Sequence, residues 1–143
     1  MSPAPVPRPL AAVLEGNTPP GVVTWPAGRP AADALTAARD AGWAGALLDL
    51  DGVADTSAFM ERCAEALRLP SWFGRNWDAL ADCLTDLSWC PPTRGRLLVL
   101  SGWQGFAAAE PEEWRIAEGV VADAVAYWRD TETGLAVVLA RGR

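Results

Sequence analysis

The order of apolar and polar positions along the chain predicts an alternation of short strands and helices. Residues 44–51 (Ala-Gly-Ala-Leu-Leu-Asp-Leu-Asp) form an apolar run between glycines, the pattern of a buried parallel strand. Residues 97–100 (Leu-Leu-Val-Leu) and 135–139 (Leu-Ala-Val-Val-Leu) read as further strands, and residues 22–25 as a short one. Between them the apolar positions recur at helical spacing. Residues 10–15 predict a short helix stopped by Gly16, and residues 31–41 an Ala-rich helix ended near Gly42. Residues 56–68 carry Phe59, Cys63, Ala66 and Leu67 on one stripe, with Asp55 or Thr56 as N-cap and Pro70 as the stop. Residues 77–87 carry Trp77, Leu80, Ala81, Leu84 and Leu87 on another, with Asn76 placed to cap and Gly74 to allow a tight turn. Residues 111–129 form a long helix, opened by Pro111 and by Glu110, Glu112 and Glu113 at its positive end.

The order β-α-β-α-α-β-α-β implies an α/β fold. The expected sheet is small and mostly parallel, with three core strands plus an extra N-terminal strand, packed with helices. Proline at positions 3, 5, 7 and 9 predicts a flexible segment over residues 1–20. Residues 21–143 are then a single domain, in which residues 21–43 add one strand–helix unit.

Composition closes several classes of function. There are 12 basic and 18 acidic residues, for a net charge of −6, and every basic residue is Arg. This balance argues against direct binding of nucleic acid and suits a basic protein partner. The chain has no His, which removes His-based triads and His metal ligands; it has no Lys, which removes Schiff-base chemistry and the P-loop lysine. No cofactor and no metal are expected. Cys63, Cys83 and Cys90 are odd in number and lack CxxC spacing, so they read as buried small hydrophobes in a reducing cytoplasm. No apolar stretch is long enough to span a bilayer, and no membrane association is expected.

One charged pattern does not serve helix stability. Asp78, Asp82 and Asp86 recur at every fourth residue and would lie on one face, opposite the apolar stripe. Like charges at this spacing weaken an isolated helix by roughly 0.2–0.5 kcal/mol per pair. A solvated face is the usual origin of such a row; a surface kept for a cationic partner is the other.

The stretch Leu69-Pro70-Ser71-Trp72-Phe73-Gly74-Arg75-Asn76-Trp77-Asp78-Ala79-Leu80-Ala81-Asp82-Cys83-Leu84-Thr85 resembles the signature of the barstar family, and the order of elements over residues 44–140 fits that family. The resemblance implies a cytoplasmic, non-enzymatic inhibitor of a small extracellular ribonuclease. Such an inhibitor plugs the enzyme's cationic active site with this helix and the loop before it. It implies that Asp82 enters the phosphate pocket, that Asp78 is a second acidic contact, and that Trp72 stands where the family has a Tyr that stacks on the enzyme's catalytic His. Gly74, Asn76 and Thr85 would lie at the rim, and Asp86 would extend the acidic row. A monomer in a 1:1 complex is expected. The sequence departs from the family pattern at Ala81 and Leu87, where Trp is expected, at Arg75, which replaces an acid, and at Asp86, which replaces a Gly. These changes point to a different cognate nuclease or a rebuilt periphery; an immunity protein or binding module for another nuclease toxin is the alternative.

A second motif points elsewhere. Asp49 and Asp51 at a strand end resemble the first motif of haloacid-dehalogenase-type phosphatases, with a nucleophile and an acid/base beside Mg²⁺. That chemistry needs a Lys, which is absent. The competing expectation is a polar turn, with Asp55 capping the next helix. Of the eight tryptophans, Trp43, Trp103, Trp114 and Trp128 are expected to fill the core or support helix packing. Trp72 and Trp89 flank the acidic helix.

Overall fold

The computed structural model describes residues 6–141. Ten elements follow one another: α1 (Arg8–Leu14), β1 (Val22–Thr24), α2 (Ala32–Asp40), β2 (Ala44–Asp49), α3 (Thr56–Ala66), α4 (Trp77–Leu84), β3 (Gly95–Ser101), α5 (Gln104–Ala109), α6 (Pro111–Arg129) and β4 (Gly134–Ala140). The strands form one sheet in the order β1-β4-β3-β2, and every pair is parallel. The expected α/β class and the N-terminal fourth strand are both present.

Alternation along β3 and β4 divides the core into two. Leu98, Leu100, Leu135 and Val137 face α3, α4, α5 and α6, where they meet Phe59, Leu80, Phe106 and Trp114. Leu97, Val99, Ala136, Val138 and Ala140 face the other way and meet Leu10, Val13, Trp25, Ala34 and Ala38. Strands that are apolar on both faces need a helical layer on each. Elements α1 and α2 supply the second layer, and β1 adds a strand beside β4. Gly95 makes room for this layer. A Cβ there would come within 2.6 Å of the Trp43 indole, which lies against the backbone.

The N-terminal segment differs from the loose stretch expected over residues 1–20. Residues 1–5 lie outside the described residues, as do 142 and 143. From Arg8 the chain is helical, with Leu10, Val13 and Leu14 buried. Pro9 is tolerated because first-turn N–H groups have no partner within a helix. Helix α5 was not legible in the sequence. Its Phe106 sits between Phe59 (ring centroids 5.0 Å apart) and Trp114 (6.4 Å), and tertiary burial holds it.

Leu10 tests whether α1 belongs to the folded body. Leu10→Ala is expected to cost about 2–5 kcal/mol in chemical denaturation, the range for truncating a buried Leu. A change near zero would show that α1 contributes nothing to folding.

Candidate acidic interface

The loop 70–76 and helix α4 form one continuous exposed surface whose underside is apolar. Leu80, Cys83 and Leu84 of α4 are buried, as are Phe73 before it and Leu87 after it. The N–H of Phe73 donates to Pro70 O at 2.9 Å, closing a turn that sends Phe73 inward and leaves Trp72 outside, 63% exposed. The Trp72 ring stands edge-on to Trp89, with centroids 6.2 Å apart and planes at 90°. Trp89 is tied down by its Nε1, which donates to Leu67 O at 3.4 Å.

Asn76 begins the helix as its sequence position predicts. Its Oδ1 accepts from Ala79 N at 2.7 Å, and its Nδ2 donates to Gly74 O at 3.3 Å. The residue that takes the left-handed turn is Arg75, at φ +54°, rather than Gly74. Gly74 serves instead by being small, since a Cβ there would lie 3.3 Å from Asn76 Nδ2. The Arg75 guanidinium pairs with Glu61 on α3, which fixes the loop across the surface. Arg68 and Leu87 also have positive φ, +51° and +54°. Three non-glycine residues in this region bracket the site, and packing has to hold each of them there.

Both ends of α4 are clamped to α6. At the start, Trp77 Nε1 donates to Glu113 Oε2 at 2.5 Å, and its ring packs on Phe59 with centroids 5.2 Å apart. At the end, Trp128 Nε1 donates to Leu84 O at 2.6 Å, satisfying a last-turn carbonyl that the helix itself cannot. Thr85 closes the helix: its hydroxyl donates to Ala81 O at 2.9 Å. Its hydroxyl is engaged internally, and Thr85 is half-buried.

The carboxylates remain free on this rigid support. Asp78, Asp82 and Asp86 are exposed, and among the described residues no ion pair involves them. Asp78 and Asp82 lie one turn apart on the helix. Asp86 is not the third member of the row, because α4 ends at Leu84 and Thr85 is its C-cap. Asp86 follows in the turn, where its N–H donates to Cys83 O at 3.2 Å. The helix stops because Thr85 caps it and Leu87 adopts positive φ, so the four-residue spacing does not continue to Asp86. Tyr127 was not singled out from the sequence. It is 54% exposed and packs edge-on against Trp128, which places it beside the C-terminal end of α4. An outward position in the helical period was its only signal.

Cys63 and Cys83 are buried packing groups, whereas Cys90, also expected to be buried, is only half-buried in the loop before β3. Burial pushes the Cys63 thiol up from 9.0 to about 12. Cys83 is raised too, by burial first and then by the nearby charges of Asp82 and Asp86. Asp49 and Asp51, the other acidic motif, build a strand-end turn. Asp49 Oδ1 accepts from Asp51 N at 3.0 Å, and Arg62 donates to the carbonyls of both. Asp55 caps α3, its Oδ1 accepting from Ala58 N at 2.8 Å.

Two outcomes follow from these contacts. Asn76→Ala removes the cap and should cost about 1 kcal/mol in thermal or chemical denaturation. The raised thiols make the native state hold protons that the unfolded chain releases above about pH 9. Stability should therefore decline from there towards pH 12, and Cys63→Ser should remove part of that slope. Denaturant midpoints measured at pH 7, 9 and 10.5 check the sign.

A family model described as Barstar (barnase inhibitor) matches residues 43–140. No curated protein matches the chain. The matched span holds β2 to β4 and the whole acidic surface, and it leaves α1, β1 and α2 outside. Barstar-family proteins bind ribonucleases as inhibitors and are not enzymes, so the phosphatase reading of Asp49 and Asp51 falls. The acidic helix, its capped start and the match over most of the chain agree, and the chain belongs to the barstar family of ribonuclease inhibitors.

Proposed function

We propose that this chain inhibits a small secreted ribonuclease within the cytoplasm of the cell that makes the enzyme, one chain capping one active site. The observation that carries this reading is the pair Asp78 and Asp82. Both are exposed and free of ion pairs, on a helix clamped at both ends. A ribonuclease active site is a cationic cleft built for phosphate. Carboxylates held on a rigid helix can occupy it with little ordering cost on binding, and their hydrogen bonds to Arg strengthen as water leaves. Asp82 is the central contact in this reading and Asp78 the second. Trp72 offers its ring to the cleft from the loop. Gly74 and Asn76 shape that loop, Thr85 closes the helix, and Asp86 contributes from the rim.

A second reading keeps the surface and changes the enzyme: an immunity protein for a different nuclease toxin. The periphery favours it. Ala81 is half-buried and Leu87 is buried, so neither offers the wide aromatic contact expected at those positions, and Arg75 brings a positive charge. Copurification followed by identification of the bound nuclease separates the two readings.

The test is inhibition of RNA cleavage by a panel of small secreted ribonucleases, with binding kinetics for each. Asp82→Ala should weaken binding by several kcal/mol, on the order of 3–7, and by more than Asp86→Ala. The upper end of that range belongs to an interfacial Asp of a barstar-family relative. Added salt should chiefly slow association, because the acidic face steers the encounter. A chain that binds no nuclease of the panel, or an Asp82→Ala variant that binds as tightly as the parent, would overturn the reading.

A further inference from the structure

The sheet has two edges, and the chain treats them differently. Strand β1 is three residues long and stands between Pro20 and Pro26. Short length and flanking proline both discourage pairing with another strand. Strand β2, at the opposite edge, is six residues long and contains no proline, and its one charged residue is Asp49 at the C-terminal end.

The outward groups of β2 follow from its ladder. Leu50 N donates to Ser101 O at 2.8 Å, so the even-numbered residues of the strand turn their N–H and C=O towards β3 and the odd-numbered ones turn them away. Of the outward set, Asp49 O is taken by Arg62. Gly45 and Leu47 keep both backbone groups directed outward, and among the described residues nothing hydrogen-bonds to them from that side. Leu47 is 40% exposed.

Charge is polarised along this edge. Arg39 and Arg68 line a groove of about 1100 Å³ at its N-terminal end; both are exposed and have no side-chain partner among the described residues. Asp49 and Asp51 are exposed at its C-terminal end, where the Arg62 guanidinium on their carbonyls offsets part of the charge, as the exposed Asp40 does beside Arg39 at the other end; the first end stays net positive and the second net negative. An antiparallel partner with the same polarity would set unlike charges together at both ends, whereas a parallel one would set like against like.

We propose that the partner is a second copy of this chain, paired β2 to β2 in the antiparallel sense about a twofold axis at Ala46. In that register Gly45 of one copy lies opposite Leu47 of the other, and the outward N–H and C=O groups of both residues are satisfied across the axis. Small side chains at Gly45 and Ala46 leave the centre open to the close spacing of neighbouring strands. Arg39 and Arg68 of each copy meet the Asp49 and Asp51 end of the other. Trp72, Asp78 and Asp82 do not line the groove, although Leu84, Leu87 and Trp89 do; the pairing is centred on β2 rather than on the acidic face, and a dimer differs from the monomer expected from sequence.

Sedimentation equilibrium of the full chain over roughly 1 μM to 1 mM spans the range in which a small interface dissociates. Salt at about 0.15 M screens the general repulsion between two acidic chains. The mass is expected to rise from monomer towards twice that value. The Gly45 and Leu47 amides should become protected from hydrogen exchange over the same range. Leu47→Pro removes an outward N–H that no bond within the sheet uses, and Leu47→Lys adds charge to the edge while keeping the backbone donor; both should remain monomeric at every concentration. A parent chain that stays monomeric throughout overturns the proposal. So does a dimer that survives Leu47→Lys with the two amides unprotected. Protection of those amides in a monomer by an added acidic strand peptide would assign the edge to another partner and overturn the proposal as well. None of these readouts involves a nuclease, so the result stands apart from the proposed function.

Discussion

The docking of α4 on α6 is the contact on which the exposed surface depends. Asp82 sits near the C-terminal end of its helix without a counter-charge, and Asp78 stands one turn away. Both arrangements work against an isolated helix. An eight-residue helix carrying them would be marginal in water by itself. Burial of Leu80, Cys83 and Leu84, the Asn76 cap, and the two indole hydrogen bonds to Glu113 and from Trp128 hold it in place. Stability thus comes from below and from the ends, which leaves the outer face free to carry unneutralised charge.

The same separation runs through the loop. Phe73 and Trp72 are neighbours in sequence, yet one is buried and the other stands in solvent. A turn closed by Pro70, a left-handed Arg75 and the Arg75–Glu61 pair impose the split. The exposed ion pair adds little energy of its own. It acts as a tether, fixing where the loop crosses towards α3. Trp89, itself hydrogen-bonded to Leu67 O, then gives the exposed Trp72 ring a perpendicular wall. A surface prepared in this way loses little freedom when it meets a partner.

The N-terminal segment outside the family match follows a different necessity. Strands β3 and β4 are apolar on both faces, and the family match begins only at residue 43. Without α1 and α2, the row Leu97, Val99, Ala136 and Val138 would face water. The segment that precedes the matched region therefore completes the core, and the remote acidic surface rests on a sheet covered on both sides. At the margin of that sheet, proline guards β1, while β2 is left with open backbone groups and polarised charge.

Much of this was legible in the residues alone. The runs 97–100 and 135–139 specified buried strands because only a parallel sheet covered on both faces accepts side chains that are apolar throughout. Asn76 and Asp55 announced helix starts, since capping is a local interaction between near neighbours. Asp78 and Asp82 were placed on one face because helical period is a property of sequence. Contacts between distant segments decided the rest. Asp86 left the row when Thr85 and a left-handed Leu87 ended α4, and Arg75 took the turn expected of Gly74. Arg8–Leu14 folded despite its prolines because Leu10 had a core to enter, and Phe106 shaped α5 for the same reason. Local period and capping fix what a segment can become; burial against partners far along the chain decides where it stops and what it leaves exposed.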